Sequence, residues 1–495
     1  MRTATPDVVE AMPLPVLLEG DYREFADIEV RGLQLDSRKV RPGDVFLAVP
    51  GELHDGRQFI EQAVANGAAA VLAEAPVAGF VEEIPVPLVE LPELRFEAGS
   101  LAARFYRYPS RDMHMIGVTG TNGKTTTSRL IAQLARAQDQ RCGVIGTLGA
   151  SLSEEVGAAA NTTPDPLSLQ RQLAQWRAEG VFAVSMEVSS HALVQGRVNG
   201  VEFDTAVFTN LSHDHLDYHG SMEAYGRAKL RLFATEGLAH AVVNADDEFG
   251  ALAGAAAADA EVITYSVAGG RADVRIDKLN FHDGGVSGEF HSPWGSGSFD
   301  SPLPGDFNLS NLAAAVASLA LSGLDLSAIL ASVAQLQPVP GRMQVVPNDL
   351  GIQVIVDYAH TPDALAQVLG ALRSHVDGEL VTVFGCGGDR DRDKRQLMGR
   401  IACQYSNRVV VTSDNPRSEE PAQIIADIQA GCTGDYAVVI DRAEAIHAAI
   451  AAAQPGDCIV VAGKGHEDYQ LVEGERLYFS DEEQAREALS LRGAS

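Results

Sequence analysis

The segment Met115-Ile-Gly-Val-Thr-Gly-Thr-Asn-Gly-Lys-Thr-Thr-Thr127 constrains the fold of this chain more than any other stretch. It predicts a short buried strand, a glycine turn and a helix over Ser128 to Ala137, which is the build of a phosphate-binding loop. In such a loop the lysine, here Lys124, reaches the β- and γ-phosphates, and the hydroxyl of Thr125 meets Mg²⁺. Val118 replaces the first glycine of the general pattern, so the loop is a variant one. The alternative is an ordinary strand-to-helix turn with an exposed lysine.

Charge and length limit what such a loop can serve. The 495 residues include 67 Asp and Glu against 38 Lys and Arg, a net charge of −29, which argues against binding to nucleic acid or to anionic membranes. The segment Met1 to Glu10 lacks the apolar core of a signal peptide, and the Ala-rich run Leu312 to Leu324 is too short to span a membrane. The five cysteines show no C-x-x-C spacing. A cytoplasmic protein without disulfides or a zinc knuckle is expected.

Three regions differ in pattern, and about three domains are expected for a chain of this length. Residues 1–110 hold short strand candidates, whereas strands alternate with helices from Met115 onward, which predicts a parallel sheet with ligands at the carboxyl ends of its strands. A second α/β series follows the boundary Gln337-Pro-Val-Pro-Gly341. We therefore predict an α/β protein with domains at 1–110, 111–338 and 339–495. The clearest predicted elements are the strands Asp44 to Val49, Cys142 to Ile145, Val181 to Met186, Ala206 to Thr209, Leu380 to Phe384, Arg408 to Thr412 and Cys458 to Ala462, and the helices Ser168 to Glu179, Met222 to Phe233 and Lys394 to Cys403.

Acidic and histidine side chains follow strands of the middle region. Glu187 ends the strand Val181 to Met186, where a phosphate-loop protein places a Mg²⁺-binding acid. The run His213-Asp-His-Leu-Asp-Tyr-His219 holds three histidines and two aspartates. Zinc is one interpretation, but no helical H-x-x-x-H frame or paired cysteine defines a tetrahedral site, so a second Mg²⁺ or substrate site is favoured. A polar loop without a catalytic role is the remaining alternative.

Three loops of the third region also follow apolar strands. In Gly385-Cys-Gly-Gly-Asp-Arg-Asp-Arg-Asp-Lys-Arg395, the side chain of Arg390 suits bidentate pairing with a carboxylate or phosphate. The segment Ser413-Asp-Asn-Pro-Arg417 suits a ligand with both an ammonium and a carboxylate, although its composition also fits a simple turn. Gly463-Lys-Gly-His-Glu467 follows a third strand. Loops from adjacent strands meet at one edge of a sheet, so these three are expected to line one cleft.

At this point the sequence resembles the Mur ligase family, the ATP-dependent amino-acid ligases of bacterial cell-wall precursor synthesis. The resemblance covers nearly the whole chain, and ligases that add glutamate to folates share several of its segments. The segments that carry it are Thr119-Gly-Thr-Asn-Gly-Lys-Thr-Thr126, Glu187-Val-Ser-Ser-His191, Asn210-Leu-Ser-His-Asp-His215, Leu303-Pro-Gly-Asp-Phe-Asn-Leu-Ser-Asn311, Pro340-Gly-Arg342 and Asp357-Tyr-Ala-His360. The resemblance implies a central phosphate-loop domain with a mostly parallel sheet, flanked by an N-terminal uridine-binding domain and a C-terminal Rossmann-like domain.

Further segments resemble the members of the family that add meso-diaminopimelate to UDP-N-acetylmuramoyl-L-alanyl-D-glutamate. They are Leu35-Asp-Ser-Arg38, Asn161-Thr-Thr-Pro164, Gly388-Asp-Arg390, Asp414-Asn-Pro-Arg417 and Gly463-Lys-Gly-His-Glu467. The resemblance implies that the uridine end is held by Leu35, Ser37, Glu52, Leu53 and His54, and the muramoyl-dipeptide by Asn161, Thr162, Thr163, Ser189, Gln195 and Arg197. It implies that diaminopimelate is held by Arg390, Asp414, Asn415, Pro416, Arg417, Gly463 and Glu467. ATP would be held by Gly120, Thr121, Asn122, Gly123, Lys124, Thr125, Thr126, Asn308, Asn311, Arg342 and Asp357.

The family carries a carbamylated lysine at the position of Lys229. Addition of CO₂ to a neutral amine creates an oxygen anion able to ligate Mg²⁺, whereas an unmodified ammonium would repel the ion. The resemblance thus implies Mg²⁺ held by Thr125, Glu187, His215 and carbamylated Lys229, with Lys124 as a further catalytic group. It also implies cytoplasmic peptidoglycan synthesis, on which cell shape and division depend.

The implied reaction proceeds through an acyl phosphate. The γ-carboxylate of D-glutamate attacks the γ-phosphate of ATP, and the amine of diaminopimelate then displaces phosphate, with the third domain closing onto the second. The expected partners are these small molecules alone, without nucleic acid or membrane, and the protein is expected to be a monomer. A folate polyglutamate synthetase and a nucleotide-gated binding module are the rivals. ADP release that depends on both the UDP-sugar peptide and an amino acid separates them.

Overall fold

The computed structural model describes residues 11–51, 54–154, 161–282, 285–373 and 376–493. Three α/β domains follow one another along the chain, each built on its own main sheet, and this confirms the predicted fold class. Within the described residues no helix is both long and apolar enough to cross a bilayer.

The first domain pairs a two-stranded ribbon with a parallel sheet of four strands. Its strands are β1 (Met12–Pro13), β2 (Glu29–Val30), β3 (Gly32–Gln34), β4 (Asp44–Ala48), β5 (Ala70–Glu74) and β6 (Leu88–Leu91), and its α-helices are α1 (Leu14–Leu18), α2 (Ile60–Ala65) and α3 (Leu94–Phe105). All five residues of β4 are buried. This continuous burial explains why β4 is an apolar run rather than an alternating one, since both faces of a parallel sheet are covered.

The second domain contains a sheet of ten strands in the order β16-β15-β14-β13-β12-β11-β7-β10-β8-β9. In chain order they are β7 (His114–Thr119), β8 (Cys142–Gly146), β9 (Gly149–Ser151), β10 (Ala183–Glu187), β11 (Thr205–Phe208), β12 (His240–Asn244), β13 (Glu261–Ser266), β14 (Val274–His282), β15 (Gly285–Ser292) and β16 (Gly295–Ser301). The α-helices are α4 (Lys124–Arg136), α5 (Pro166–Ala178), α6 (Ser190–Val194), α7 (Leu216–His219), α8 (Met222–Phe233), α9 (Gly250–Ala256), α10 (Asp306–Leu321) and α11 (Leu326–Ser332).

Side chains of β7 alternate between two cores of this domain. Ile116 and Val118 belong to the core that includes residues of α4 and α10, whereas Met115 belongs to the core that includes residues of α5 and α8. The pairs β7 to β10, β10 to β8 and β7 to β11 are all parallel. The carboxyl ends of these four strands therefore meet at one edge of the sheet, as the β-α alternation predicts.

The third domain has six strands in the order β17-β18-β22-β19-β20-β21, with a separate hairpin. The strands are β17 (Gln344–Val345), β18 (Gln353–Asp357), β19 (Leu380–Phe384), β20 (Arg408–Val411), β21 (Tyr436–Val438) and β22 (Cys458–Ala462), and the hairpin is β23 (Tyr469–Val472) and β24 (Glu475–Tyr478). The α-helices are α12 (Pro362–Arg373), α13 (Asp393–Tyr405), α14 (Pro421–Gln429), α15 (Arg442–Ala452) and α16 (Asp481–Gly493). Only the β17 pairing is antiparallel among the six described strands.

Two features differ from the sequence prediction. The helix predicted from Ser128 begins at Lys124, because Gly123, at φ 85°, completes the turn and lets the lysine form the first helical residue. The antiparallel strands β14 to β16 were not predicted, because their residues are half exposed and carry no continuous apolar run.

Candidate active site

The loop from Gly120 to Gly123 is anchored to the end of β11. The Asn210 carbonyl accepts a hydrogen bond from the Thr121 N–H at 2.8 Å, and the Asn210 side chain accepts one from the Asn122 N–H at 2.9 Å. A Cβ at Gly123 would collide with the amide oxygen of Asn311. Glycine at this position therefore allows α10 to approach the loop closely.

Two lysines, the half-buried Lys124 and the buried Lys229, converge on one carbonyl of this loop. Lys124 Nζ donates to the carbonyls of Gly120 at 3.0 Å and Thr121 at 2.8 Å, and Lys229 Nζ donates to the Gly120 carbonyl at 2.7 Å. Burial lowers the pKa of both lysines, and the charge of Lys124 lowers that of Lys229 further. Two ammonium groups on one oxygen would repel each other, so the arrangement favours an uncharged Lys229 amine.

Glu187 is buried at the end of β10, as predicted. Its carboxylate accepts hydrogen bonds from the Thr125 hydroxyl at 2.9 Å, the Thr147 N–H at 2.8 Å and the Thr147 hydroxyl at 3.2 Å. The parallel order of β7, β10 and β8 brings these three residues to one sheet edge. The phosphate loop and the acid thus share a hydrogen-bonded network.

His215 lies in the loop that follows β11 and adopts a left-handed backbone conformation with φ 54°. Its Nε2 is 3.3 Å from a carboxylate oxygen of Asp214. Burial lowers the pKa of His215 to about 3, against the opposing effect of Asp214. The imidazole is therefore neutral at physiological pH and able to offer a nitrogen lone pair.

The donor set agrees with a hard divalent cation. The hydroxyl of Thr125 and the carboxylate of Glu187 are oxygen donors, which Mg²⁺ strongly prefers, and the neutral imidazole of His215 is the one nitrogen donor of the predicted set. An amine at Lys229 does not suit the ion, whereas its carbamate would. Among the described residues, one group of three acidic or histidine side chains has its potential ligand atoms within 4.8 Å of one another: Asp277, Glu289 and His291 on the β14–β15 hairpin. That exposed group lies outside the strand-end cluster, and Lys278 pairs with its Glu289.

Some of the residues expected to hold the muramoyl-dipeptide lie beside Glu187, and the others contact neighbouring segments. Thr162 Oγ1 is 3.1 Å from Thr147 Oγ1, and the Thr163 hydroxyl donates to the Glu187 carbonyl at 2.8 Å. Arg197 donates to the Thr163 carbonyl at 3.1 Å, and Ser189 caps α6 through the Ala192 N–H. Gln195 donates to the Tyr218 hydroxyl at 3.2 Å, and Asn161 is exposed. The structure thus places Thr162, Thr163 and Ser189 at the carboxyl end of β10.

The residues expected to bind uridine lie in the first domain. Leu35 packs against the core of that domain, and the hydroxyl of Ser37 donates to Gln62 at 2.6 Å. His54 is exposed, with its ring edge-on to Phe59. Glu52 and Leu53 lie outside the described residues. No described residue of the first domain lines the two cavities between the second and third domains.

A cavity of about 900 Å³ between the second and third domains is lined by seven of the eleven residues expected to bind the nucleotide, but not by Gly120, Thr121, Lys124 or Thr125. Its lining includes Asn122, Gly123, Thr126, Asn308, Asn311, Arg342 and Asp357. Arg342 donates to the Thr125 hydroxyl at 3.3 Å and stacks on the ring of Tyr358 at 4.4 Å. Asp357 accepts hydrogen bonds from the N–H groups of Met343 and Ala359 at 2.7 Å each, so its carboxylate positions the segments beside Arg342.

A second cavity of about 630 Å³ has walls from both domains. The third domain contributes Arg390, Asp414, Asn415, Arg417, Gly463 and Glu467, and the second contributes Asn161, Thr162, Asp214 and His215. Pro416 is buried, and its carbonyl lies where a Cβ at Gly388 would stand. The three loops that follow β19, β20 and β22 therefore line one cleft, as the adjacent strands predicted.

Arg417 is held by the hairpin of β23 and β24. Its backbone has φ 53°, its N–H donates to the Leu471 carbonyl at 2.8 Å, and its carbonyl accepts from the Glu473 N–H at 2.7 Å. Its guanidinium donates to the Gly388 carbonyl at 2.8 Å. This side chain is therefore fixed before a ligand arrives.

Two lysines at or beside this cleft, Lys464 and Lys394, were not predicted from the sequence to be site residues. Lys464 is fully buried and donates to Asn415 at 3.1 Å and to Glu467 at 3.0 Å. Lys394 Nζ lies 3.9 Å from the Asp214 carboxylate, across the domain boundary. Asn415, the partner of Lys464, and Asp214, the partner of Lys394, are both distant in sequence from their lysines. No local residue spacing therefore predicts these pairs.

Polar contacts join the two domains near these cavities. His213 Nε2 lies 2.7 Å from a carboxylate oxygen of Asp391, and the Asn122 amide donates to Asp363 at 3.0 Å. His213 precedes His215 by two residues, and Asp391 follows Arg390 directly. The contacts thus connect the loop of the predicted metal site to the loop of the predicted amino-acid site.

Comparison with known proteins identifies the family. Residues 118–319 match the Mur ligase middle domain, residues 341–465 the Mur ligase glutamate ligase domain, and residues 29–106 the Mur ligase family catalytic domain. A UDP-N-acetylmuramoyl-L-alanyl-D-glutamate-2,6-diaminopimelate ligase of Ectopseudomonas mendocina is 50% identical over 481 residues, which are 97% of this chain and 98% of that protein. The ligase of the same name from Coxiella burnetii is 47% identical over 471 residues, covering 94% and 96%.

A solved structure gives the same result. A UDP-N-acetylmuramoyl-L-alanyl-D-glutamate-2,6-diaminopimelate ligase superimposes with a TM-score of 0.70 at 40% identity, and the match covers 98% of this chain and 100% of that one. The phosphate loop, the acid at the end of β10 and the three loops of the third domain all lie within the matched length. The chain belongs to the Mur ligase family.

Proposed function

We propose that this protein is an ATP-dependent, ADP-forming ligase that joins meso-diaminopimelate to UDP-N-acetylmuramoyl-L-alanyl-D-glutamate in peptidoglycan precursor synthesis. The supporting observation is the cavity with walls from two domains, because it brings the residues expected to hold the acid together with those expected to hold the amine. The names of the relatives, at up to 50% identity over nearly the full length, agree with this activity.

Phosphoryl transfer would take place at the phosphate loop. The γ-carboxylate of D-glutamate attacks the γ-phosphorus of ATP, the bond to the β-phosphate oxygen breaks, and ADP leaves. Lys124 neutralises charge that develops on the transferred group, and Arg342, beside Thr125, adds a second positive charge. No nucleophile from the protein is required.

Mg²⁺ would be held by Thr125, Glu187, His215 and the carbamate of Lys229. When bound, the ion would supply positive charge that offsets the negative charge of the phosphate groups. Burial and the charge of Lys124 lower the pKa of Lys229. This favours the neutral amine, which is the form that combines with CO₂.

Amide formation would take place in the cleft of the third domain. Asp414 and Glu467 suit the ammonium groups of the incoming amino acid, and the guanidinium groups of Arg390 and Arg417 suit its carboxylates. The nitrogen of the attacking amine bonds to the carbonyl carbon of the acyl phosphate, the bond from that carbon to the phosphate oxygen breaks, and the proton lost from nitrogen leaves with the inorganic phosphate. Closure of the two domains excludes water, which would otherwise hydrolyse the intermediate.

We further propose the boundaries 1–110, 111–338 and 339–495 for the uridine, ATP and amino-acid domains, since their sheets fall within these limits. We propose that the protein acts as a monomer. We also propose a cytoplasmic location, which the resemblance to the Mur ligase family implies. The net charge of −29 supports the absence of nucleic-acid partners.

The test of the proposed function is ADP release by the full-length protein with each substrate omitted in turn. Steady ADP release is expected only when ATP, UDP-N-acetylmuramoyl-L-alanyl-D-glutamate and meso-diaminopimelate are all present, with one amide formed per ADP. Release driven by a folate and glutamate, or no release under any combination, would reject the proposal.

Arg417→Ala is expected to raise the KM for diaminopimelate by about 10- to 100-fold, because hydrogen bonds to a charged group are worth about 1.5–3 kcal/mol. The KM for ATP should change little. Lysine lacks the second carboxylate, so the wild-type protein should prefer diaminopimelate strongly and the variant should lose much of that preference. Coupled ADP assays with both amino acids measure this, with the exposed Arg486→Ala as a control. Comparable wild-type rates with lysine and diaminopimelate would contradict the specificity.

A further inference from the structure

The two loops that carry Arg390 and Arg417 are bound to each other through backbone atoms. The Gly388 N–H donates to the Asn415 carbonyl at 2.9 Å, and the Arg417 guanidinium returns to the Gly388 carbonyl at 2.8 Å. A Cβ at Gly388 would collide with the Pro416 carbonyl. The loops therefore cannot shift independently at this crossing.

A carboxylate behind this crossing, Glu419, binds the first loop directly. It accepts a hydrogen bond from the Asp389 N–H at 2.6 Å. The Asp389 carboxylate in turn accepts bonds from the Ser418 N–H at 3.0 Å and the Ser418 hydroxyl at 2.7 Å. The residues on either side of the crossing are thus joined reciprocally, one carboxylate from each loop.

Glu419 is held by a fully buried arginine. Arg395 donates to both carboxylate oxygens of Glu419, at 2.8 and 3.0 Å, and to the Gly387 carbonyl at 3.3 Å. It also donates to Asp427 on α14 at 2.9 Å. The Arg395 hydrogen bonds lower the pKa of Glu419 to about 2. The carboxylate is therefore ionised throughout the physiological range, and the two-donor geometry fixes its orientation.

None of these contacts lies on the surface of the cleft. Gly387 and Arg390 line the cavity, whereas Arg395 and Glu419 stand behind them and touch their loop from the protein side. Asp427 pairs with the same arginine but lies on α14 and accepts, besides Arg395, a hydrogen bond from the neighbouring Gln423. The two carboxylates thus share Arg395 and differ in whether they touch the loop, and Glu419 also accepts a hydrogen bond from the exposed Arg392 at 3.0 Å.

We propose that Arg395 and Glu419 are positioning residues for amino-acid selection, which hold the loops of Arg390 and Arg417 at the separation that the second carboxylate of a diamino diacid requires. This inference rests on the proposed function, since it assigns a role to groups behind the same cleft. A displaced Gly387–Asp389 segment would move Arg390 away from Arg417. An amino acid with a single carboxylate would then lose less binding affinity than one whose two carboxylates bind both arginines.

The test compares Glu419→Gln with the matched control Asp427→Asn. Each variant keeps its side-chain shape and removes one negative charge from Arg395. Steady-state kinetics are measured with diaminopimelate, with lysine, with ATP and with the UDP-sugar peptide, and thermal unfolding is followed for both proteins.

We expect Glu419→Gln to raise the KM for diaminopimelate about tenfold, the size expected for a lost charged hydrogen bond. Its kcat, its KM for ATP and its KM for the UDP-sugar peptide should stay within about twofold of wild type, as should every constant of Asp427→Asn. A purely structural role predicts a different pattern, in which both variants lose thermal stability and all the kinetic constants move together. Either that pattern or an unchanged KM for diaminopimelate in Glu419→Gln would overturn the inference.

A second variant covers failure of Glu419→Gln to fold. Asp389→Asn alters an exposed side chain and weakens the bonds to Ser418, so it should raise the same KM by a smaller factor. An unchanged KM in that variant would overturn the inference. If the wild-type protein itself releases no ADP with diaminopimelate, the proposed function fails instead.

Discussion

Lys124→Ala is expected to reduce ADP release by about 10³-fold or more, since removal of one preorganised donor to a developing charge commonly costs 10²–10³ in kcat and this lysine also binds the nucleotide. The ammonium lies over the phosphate loop and is bonded to the carbonyls of Gly120 and Thr121. Alanine leaves the first residue of α4 with good helix propensity, so the fold should persist.

The measurement is a coupled ADP assay with all three substrates, alongside nucleotide binding by calorimetry. Lys278→Ala is the matched control, because that lysine belongs to the same domain but pairs with Glu289 on an exposed hairpin. Full turnover by Lys124→Ala would remove the phosphate-loop assignment. Loss of ADP release in both variants would indicate a general defect of the domain.

Lys229→Ala is expected to reduce kcat by about 10²- to 10³-fold, because the site would lose an oxygen ligand that suits Mg²⁺. Lys229→Arg should be equally impaired, since the guanidinium of arginine stays positively charged and does not form a carbamate. Both substitutions lie on α8, where the side chain is buried against the ring of Tyr225. Wild-type turnover by the arginine variant would contradict the carbamate.

Carbon-13 NMR supplies a readout that does not depend on activity. Wild-type protein in ¹³C-bicarbonate should show a carbamate signal that disappears in Lys229→Ala and persists in Lys278→Ala. The sign of the pH effect follows from the lowered pKa of Lys229. Because of this lowered pKa, the Lys229 amine stays neutral down to a lower pH than the amine of an ordinary lysine does. Carbamylation should therefore persist at neutral pH, and a signal seen only at high pH would argue against a depressed pKa.

The sequence predicted the parts of the fold that local patterns determine. The strands Leu380–Phe384 and Cys458–Ala462 and the helix Met222–Phe233 have the predicted bounds. The two strands are continuous apolar runs in a covered parallel sheet, and the helix begins directly after Ser221, whose side chain caps it. Strand ends then indicated where Glu187 and the loop of Arg390 would lie.

Other features depend on partners that sequence spacing does not reveal. The partners of Arg395 and Lys394 lie on other elements, and in the case of Lys394 on another domain. A buried cation requires a specific partner, but neither its burial nor its partner is visible in a run of alternating charges. The family resemblance named ligands of the cleft, and the residues behind them emerged only from the packing.

The contacts of His213 with Asp391 and of Asn122 with Asp363 bear on the timing of the catalytic cycle. A hydrogen bond of this kind contributes about 1 kcal/mol net, so these two contacts, together with those of Lys394 with Asp214 and of Arg342 with Thr125, join the two domains only weakly. Bound substrates must then supply most of the interaction energy that holds the second and third domains together. That energy is lost when the nucleotide and the tripeptide product dissociate. Because the second and third domains are only weakly joined, release of the products is coupled to reopening of the cleft between them.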